Sequence, residues 1–139
     1  MAVKFVDILD AVEAVSSGQL GENSGWLCKE SGRIYLQFEV DDESEELPDD
    51  IDDSEKYVQI PDKRELDLGK PLALAFAREF LPEDFDKVRQ IFSRRGAYAR
   101  FNDLLDYRRM RQQWFDYRDK AEIEAVRVWC ADNSIEVVD

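Results

Sequence analysis

The chain has 139 residues, 44% of them apolar and 12% aromatic, which places it among globular proteins and outside the disordered regime. Its net charge of −13 works against nonspecific attachment to nucleic acid or anionic lipid. With no histidine and only two cysteines, Cys28 and Cys130, it offers no zinc ligand set, no imidazole base and no disulfide scaffold, and both thiols are expected to be buried and reduced.

The N-terminal stretch "MAVKFVDILDAVEAVSSG" is interrupted by Asp7, Asp10 and Glu13, so it is not expected to act as a signal peptide. No run approaches the ~18 apolar residues of a membrane span, and a cytoplasmic location is the expectation by elimination. Within this stretch Phe5, Ile8, Leu9, Val12 and Val15 recur at helical spacing, which predicts a helix over 6–16 that ends at Gly18.

"GWLCKESGRIYLQFEV" predicts a hairpin. A strand at Trp26–Cys28 turns through "KESG", with Gly32 at the positive-φ position, into a strand over Arg33–Val40. In the second strand Ile34, Leu36, Phe38 and Val40 alternate with Arg33, Tyr35, Gln37 and Glu39, as expected when one face meets a core.

Residues 41–55 hold ten acidic residues in fifteen and no basic one. Self-repulsion predicts a mobile, solvated acidic loop, and the spacing lacks the glycine and ligand pattern of a calcium loop. "KYVQIP" then predicts a third strand, stopped by Pro61.

From Asp62 the apolar period changes to helical. "GKPLALAFAREFL" predicts a helix with Pro71 in its first turn and Leu72, Phe76 and Phe80 on one stripe. "LPEDFDKVRQIFSRR" predicts another, with a stripe of Phe85, Val88, Ile91 and Phe92. Past Gly96, "AYARFNDLLDYRR" predicts a third, followed by a helical turn carrying Trp114, Phe115 and Tyr117 and a helix over roughly 119–132. The Ile135/Val137 alternation suggests a short C-terminal strand that could join the sheet.

The fold class expected is therefore α+β: a small three-strand antiparallel meander packed against about five helices. It is expected as a single domain, 1–139, divided into a helix-plus-meander half (1–60) and a mainly helical half (61–139).

Charge is unevenly spread. Residues 1–60 carry 16 acids and 4 bases, whereas residues 61–139 carry 16 acids and 15 bases. Residues 94–118 alone contain seven arginines and six aromatics. On a helical wheel Tyr98, Phe101, Leu104, Leu105 and Ala97 form one apolar arc. The arginines scatter around it instead of aligning like a phosphate-tracking stripe. Arg100–Asp103 and Asp106–Arg109 are spaced for ion pairs, and Arg108 falls in the apolar arc, which predicts a structural ion pair. Arg94, Arg95, Arg108, Arg109 and Arg111 are the candidate anion or partner-binding corner, if the helices on either side of Gly96 fold back. The same corner could receive the chain's own acidic loop.

No catalytic constellation is visible: "LGKPL" lacks the rest of a phosphate-binding loop, and there is no GxGxxG. No cofactor and no metal are expected. The leading functional expectation is a non-enzymatic interaction or regulatory module that binds another protein. The alternatives are a nucleic-acid binder using the Arg/aromatic corner, and a carboxylate-dependent enzyme acting on an anionic substrate.

The stretch from "IPDKRELDLGK" through "RGAYARFNDLL", the Trp114–Phe115 pair and "RVWCADNSIE" resembles a bacterial group known as uncharacterised protein family 0158. The hairpin "GWLCKESGRIYL" fits its N-terminal part more loosely. The family motif usually has Lys after the Phe of its central segment, where this chain has Asn102. The resemblance implies a bacterial cytoplasmic protein of mixed α+β architecture and brings no activity with it.

Overall fold

The computed structural model describes residues 2–39 and 46–139. The chain is α+β, and among the described residues it has five α-helices, a three-strand antiparallel sheet and a short parallel strand pair, in the order β1 (Val3–Lys4), α1 (Phe5–Ser16), β2 (Asn23–Cys28), β3 (Ile34–Phe38), β4 (Tyr57–Gln59), α2 (Lys70–Phe80), α3 (Phe85–Ile91), α4 (Ala97–Arg108), α5 (Arg111–Asp132) and β5 (Val137–Val138). These elements gather into two compact units, Met1–Leu66 with Ile123–Asp139, and Asp67–Glu122.

In the first unit, α1 forms where its apolar spacing predicts, burying Phe5, Ile8, Ala11, Val12 and Val15. Gly18 beyond it takes φ +75, a conformation that only glycine adopts without strain. The hairpin also forms as expected. Cys28 and Arg33 close it, and Gly32 stands at φ +75.

The sheet order, however, is β3-β2-β4, which is not that of a meander. The strand after the acidic segment pairs with the free edge of β2, in the register Leu27↔Val58 and Cys28↔Tyr57, so β2 is central. A long connection between β3 and β4 leaves the choice of edge open to packing. This order places Leu27 at the middle of the buried face, only 1% exposed. Ile34, Leu36, Val58 and Ile60 join it against α1, and Val126 and Cys130 of α5 complete the core.

The expected inside/outside alternation of β3 is muted. Tyr35, on the face away from α1, is half-buried because it meets Tyr57 edge-on with centroids 6.3 Å apart. Arg33 stacks its guanidinium 4.7 Å from the Tyr35 ring. Val40, predicted at the strand's end, lies outside the described residues.

Gly25 is the tightest point of this sheet. A β-carbon there would stand 3.0 Å from Leu36 and from Val15, and 3.3 Å from Ile60. All three neighbours are packed side chains, so we expect Gly25→Ala to destabilise by about 1–3 kcal/mol through overpacking. A urea titration measures this directly, and an unchanged midpoint would show that the sheet can give way there.

The C-terminal strand forms but does not join that sheet. Val137 pairs with Val3 in a parallel two-strand sheet. The α5 exit sets its direction: Ser134 adopts φ +57, and the Ile135 N–H reaches the Cys130 carbonyl at 2.8 Å.

In the second unit, α2 starts with Pro71 in its first turn and buries Ala73, Phe76 and Ala77. Phe80, placed by its spacing on the buried stripe, is 39% exposed at the helix end and stacks on Phe76 at 4.9 Å. The helix predicted over 82–95 is shorter. Pro82–Asp84 is a 3-10 turn and α3 covers only Phe85–Ile91. Phe92 leaves helical geometry with ψ near zero, and the Ser93 hydroxyl bonds the Gln90 carbonyl.

Gly96, at φ +72, starts α4. Buried Phe101, Leu104 and Leu105 confirm its apolar arc, whereas Tyr98 is 48% exposed and touches Phe92 edge-on. The turn expected at Trp114–Tyr117 and the helix after it are one continuous α5 of 22 residues.

Candidate functional site

The acidic segment of residues 41–55 is one expected mate of the arginine corner. Its residues 41–45 lie outside the described residues. Residues 49–56 are mostly hydrogen-bonded turns, largely exposed to solvent as expected but held by specific bonds. The Asp53 N–H reaches the Asp50 carbonyl at 2.8 Å, and the Asp53 carbonyl accepts from Tyr57 at 2.9 Å.

Asp50 is the hub of these turns, accepting from Lys56 Nζ and from the Tyr57 hydroxyl, both at 3.0 Å. Those bonds, Lys56 first, hold the Asp50 carboxyl below its ordinary range. Burial, followed by the bond to Asp50, pushes the Tyr57 phenol up to about 12, so it stays protonated at neutral pH. Lys29 adds a bond to the Ser54 carbonyl at 3.0 Å. Local donors and two flanking lysines thus offset the self-repulsion that the composition suggested. The segment's described residues find these partners inside the first unit.

The five predicted arginines do not form one corner. Arg94 and Arg95 lie exposed in the turn between α3 and α4. Arg108 lies at the other end of α4, which at twelve residues is about 18 Å long. There it grips Asp84 with two bonds, Nε–Oδ2 at 2.8 Å and Nη2–Oδ1 at 3.1 Å. The structural ion pair expected of Arg108 is therefore present. Because Asp84 precedes α3 and Arg94 follows it, α3 and α4 run as a hairpin with the two arginine groups at opposite ends.

Arg111 makes a bidentate pair with Asp106, at 2.7 and 2.8 Å. This takes the carboxylate that spacing had assigned to Arg109. Arg109 itself closes α4 in the left-handed region at φ +57. Arg100 does not form its expected bond to Asp103. Its guanidinium instead donates to the Arg95 carbonyl at 2.8 Å and the Ile91 carbonyl at 3.5 Å, capping the open end of α3.

What the hairpin does build is a groove along its outer side. One stretch, about 370 Å3, is lined by Lys87, Ile91, Arg100, Asp103, Leu104 and Tyr107. A second, about 570 Å3, is lined by Lys87, Gln90, Ile91, Ser93, Arg94 and Arg100. Lys87, Ile91 and Arg100 belong to both, so the two are continuous.

Three cations face one carboxylate, Asp103, over an apolar floor of half-buried Ile91 and buried Leu104. Tyr107, 77% exposed, stands at one end. Of the five predicted residues only Arg94 lines this groove. The sequence reading missed Lys87 and Arg100, although Lys87, Ile91 and Arg94 are spaced by four and three residues, the signature of one helical side.

The two thiols differ. Cys130 is buried as expected, and burial raises its pKa. Cys28 is half-buried instead, because its strand face lies away from α1, and the Ser31 hydroxyl's hydrogen bond lowers its pKa. Among the described residues no group of three or more Cys, Asp or Glu is placed to hold a metal ion, and no helix is long and apolar enough to cross a membrane. A scan against family models finds no match for this chain, and searches of the curated proteins and of the solved structures find none either.

Proposed function

We propose that the chain is a non-enzymatic cytoplasmic interaction module that binds another protein through the groove between α3 and α4. The observation that carries the reading is the pairing of an apolar floor, Ile91 and Leu104, with the exposed cations Lys87 and Arg94. This occurs on a chain whose net charge is −13. That net charge repels an acidic partner at long range, so Lys87 and Arg94 act at short range, orienting it at contact while the apolar floor supplies contact area.

Nucleic acid is the second reading, favoured by exposed Tyr107 with the Arg108 guanidinium 5.3 Å from its ring, a surface on which a base could stack. The enzyme reading has less support, because the groove lining holds one carboxylate where a mechanism built on paired carboxylates would use two. Membership of family 0158 remains a proposal from sequence resemblance.

Arg100 caps α3, so the informative variant spares it: Lys87→Glu with Arg94→Glu. Affinity capture from bacterial lysate with the wild type and this double variant tests the reading. A protein retained by the wild type should fall about ten-fold or more on the variant while circular dichroism stays unchanged. Equal retention by both would remove the groove from the interface.

A further inference from the structure

Which chemistry the groove accepts depends on how its two stretches differ. The Arg94 end is basic and polar: Lys87 and Arg94 project there beside Gln90 and Ser93. The Tyr107 end is more apolar: Lys87 and Arg100 line it too, but over Leu104 and Ile91, beside the Tyr107 ring and with the one carboxylate, Asp103. Neither Lys87 nor Arg94 shows a side-chain ion-pair partner among the described residues, whereas Arg108 and Arg111 at the hairpin's other end are each held by a carboxylate.

A phosphate chain would match the basic end and gain nothing from Leu104 and Ile91. At the far end it would meet Asp103, a like charge, beside the Lys87 and Arg100 that line both stretches. A purely apolar ligand would leave Lys87 and Arg94 unmatched. A ligand with carboxylates at one end and apolar side chains at the other satisfies both halves, and a short peptide places such groups three and four residues apart.

Resting on the proposal that the groove binds protein, we infer that its occupant is a short acidic segment of a partner. The segment's carboxylates meet Lys87 and Arg94, and neighbouring apolar side chains lie on Ile91 and Leu104 against Tyr107. Asp103 fixes the direction, because reversing the segment would bring its carboxylates onto that like charge.

Fluorescence anisotropy with the full chain tests this, using four labelled probes. The first is a twelve-residue Glu/Asp peptide carrying two leucines four apart at one end. The second has those leucines replaced by serine, the third is an all-glutamate peptide, and the fourth is a ten-nucleotide oligouridine. The leucine peptide should bind in the micromolar range. Binding should weaken about ten-fold with the serine peptide, and about ten-fold again in Lys87→Glu/Arg94→Glu or at raised salt.

Tyr107→Ala, at a position outside the core, should weaken the leucine peptide and leave the all-glutamate peptide unchanged. Equal binding of the leucine and serine peptides would overturn the inference in favour of a charge-only site, and tighter binding of oligouridine would overturn it in favour of nucleic acid. No binding by any peptide, with lysate capture still lost in the double variant, would overturn the acidic occupant but leave the protein-binding groove standing. Loss of neither would remove both.

Discussion

Phe76→Ala should destabilise the second unit by about 3–5 kcal/mol, the largest single effect expected in the chain. Phe76 is fully buried, and its ring contacts three others: Phe80 stacked at 4.9 Å, Trp114 edge-on at 5.3 Å and Tyr117 edge-on at 5.4 Å. Phe101 meets the same Trp114 edge-on at 5.2 Å. Truncation therefore removes transfer free energy and three ring contacts together. It also opens a void whose walls, the rings of Trp114 and Tyr117, are too stiff to collapse into it. Urea unfolding followed by tryptophan fluorescence and by circular dichroism measures the loss. A shift worth less than about 1.5 kcal/mol would mean that the aromatic cluster repacks, and that the contacts described are not what holds α2 to α5.

The second large effect lies in the first unit, at Asp62. This carboxylate is 1% exposed, yet every bond it needs is present. Oδ1 accepts from the Arg64 backbone N–H at 2.8 Å and from Arg64 Nε at 2.9 Å, and Oδ2 accepts from Nη2 at 2.8 Å. The same Nη2 donates to the carbonyls of Ser16 and Gly18 just beyond α1, at 3.3 and 3.2 Å. Asp62 thus aims a guanidinium that ties the end of α1 to the chain leaving the sheet.

Because the Arg64 side chain is 41% exposed, water partly rehydrates it when its partner is lost. Asp62→Ala should therefore cost about 2–3 kcal/mol, below the full penalty of a buried orphan charge. The Arg64 bonds, followed in effect by its charge, hold the Asp62 carboxyl below the ordinary 3.8. A depressed folded-state value means that the stabilisation is fully present above about pH 4 and is lost as pH falls through the folded value. Asp62→Asn should flatten that acid limb. If wild type and Asp62→Asn lose stability in parallel between about pH 5 and 2, the pair is not a source of acid sensitivity.

Much of the local structure is legible in the residues. The i, i+3, i+4 spacing from Phe5 to Val15 forms α1, Gly32 turns the hairpin, Pro71 opens α2, and Gly96 separates α3 from α4, because each is a contest settled within a few residues of chain. The two halves of α5 are the instructive failure. Trp114 is buried near its start, and Val126 and Cys130 near its end. Trp114 lies about 120° around the helix from Val126, so no single stripe runs through 22 residues and the periodicity reads as two pieces. The backbone bonds continue regardless, because nothing between them breaks a helix.

The candidate site shows the same division. Composition and spacing supplied the cations and predicted that Arg108 would need a carboxylate, since a guanidinium in an apolar arc has few other options. They could not name Asp84, 24 residues away, or assign Asp106 to Arg111 over Arg109. Charges pair by distance in space, and only the folded hairpin sets those distances. By itself, then, the sequence determined the α+β class, the places where helices and turns begin, and the imbalance of charge, all of which arise from local sterics and periodicity. Tertiary structure alone decided that β2 takes the centre of its sheet, that Val137 pairs with Val3, and that Lys87, Arg94 and Arg100 share a groove while Arg108 and Arg111 are spent on internal pairs. Each of these depends on contacts between residues far apart in the chain, whose energies a linear reading cannot rank.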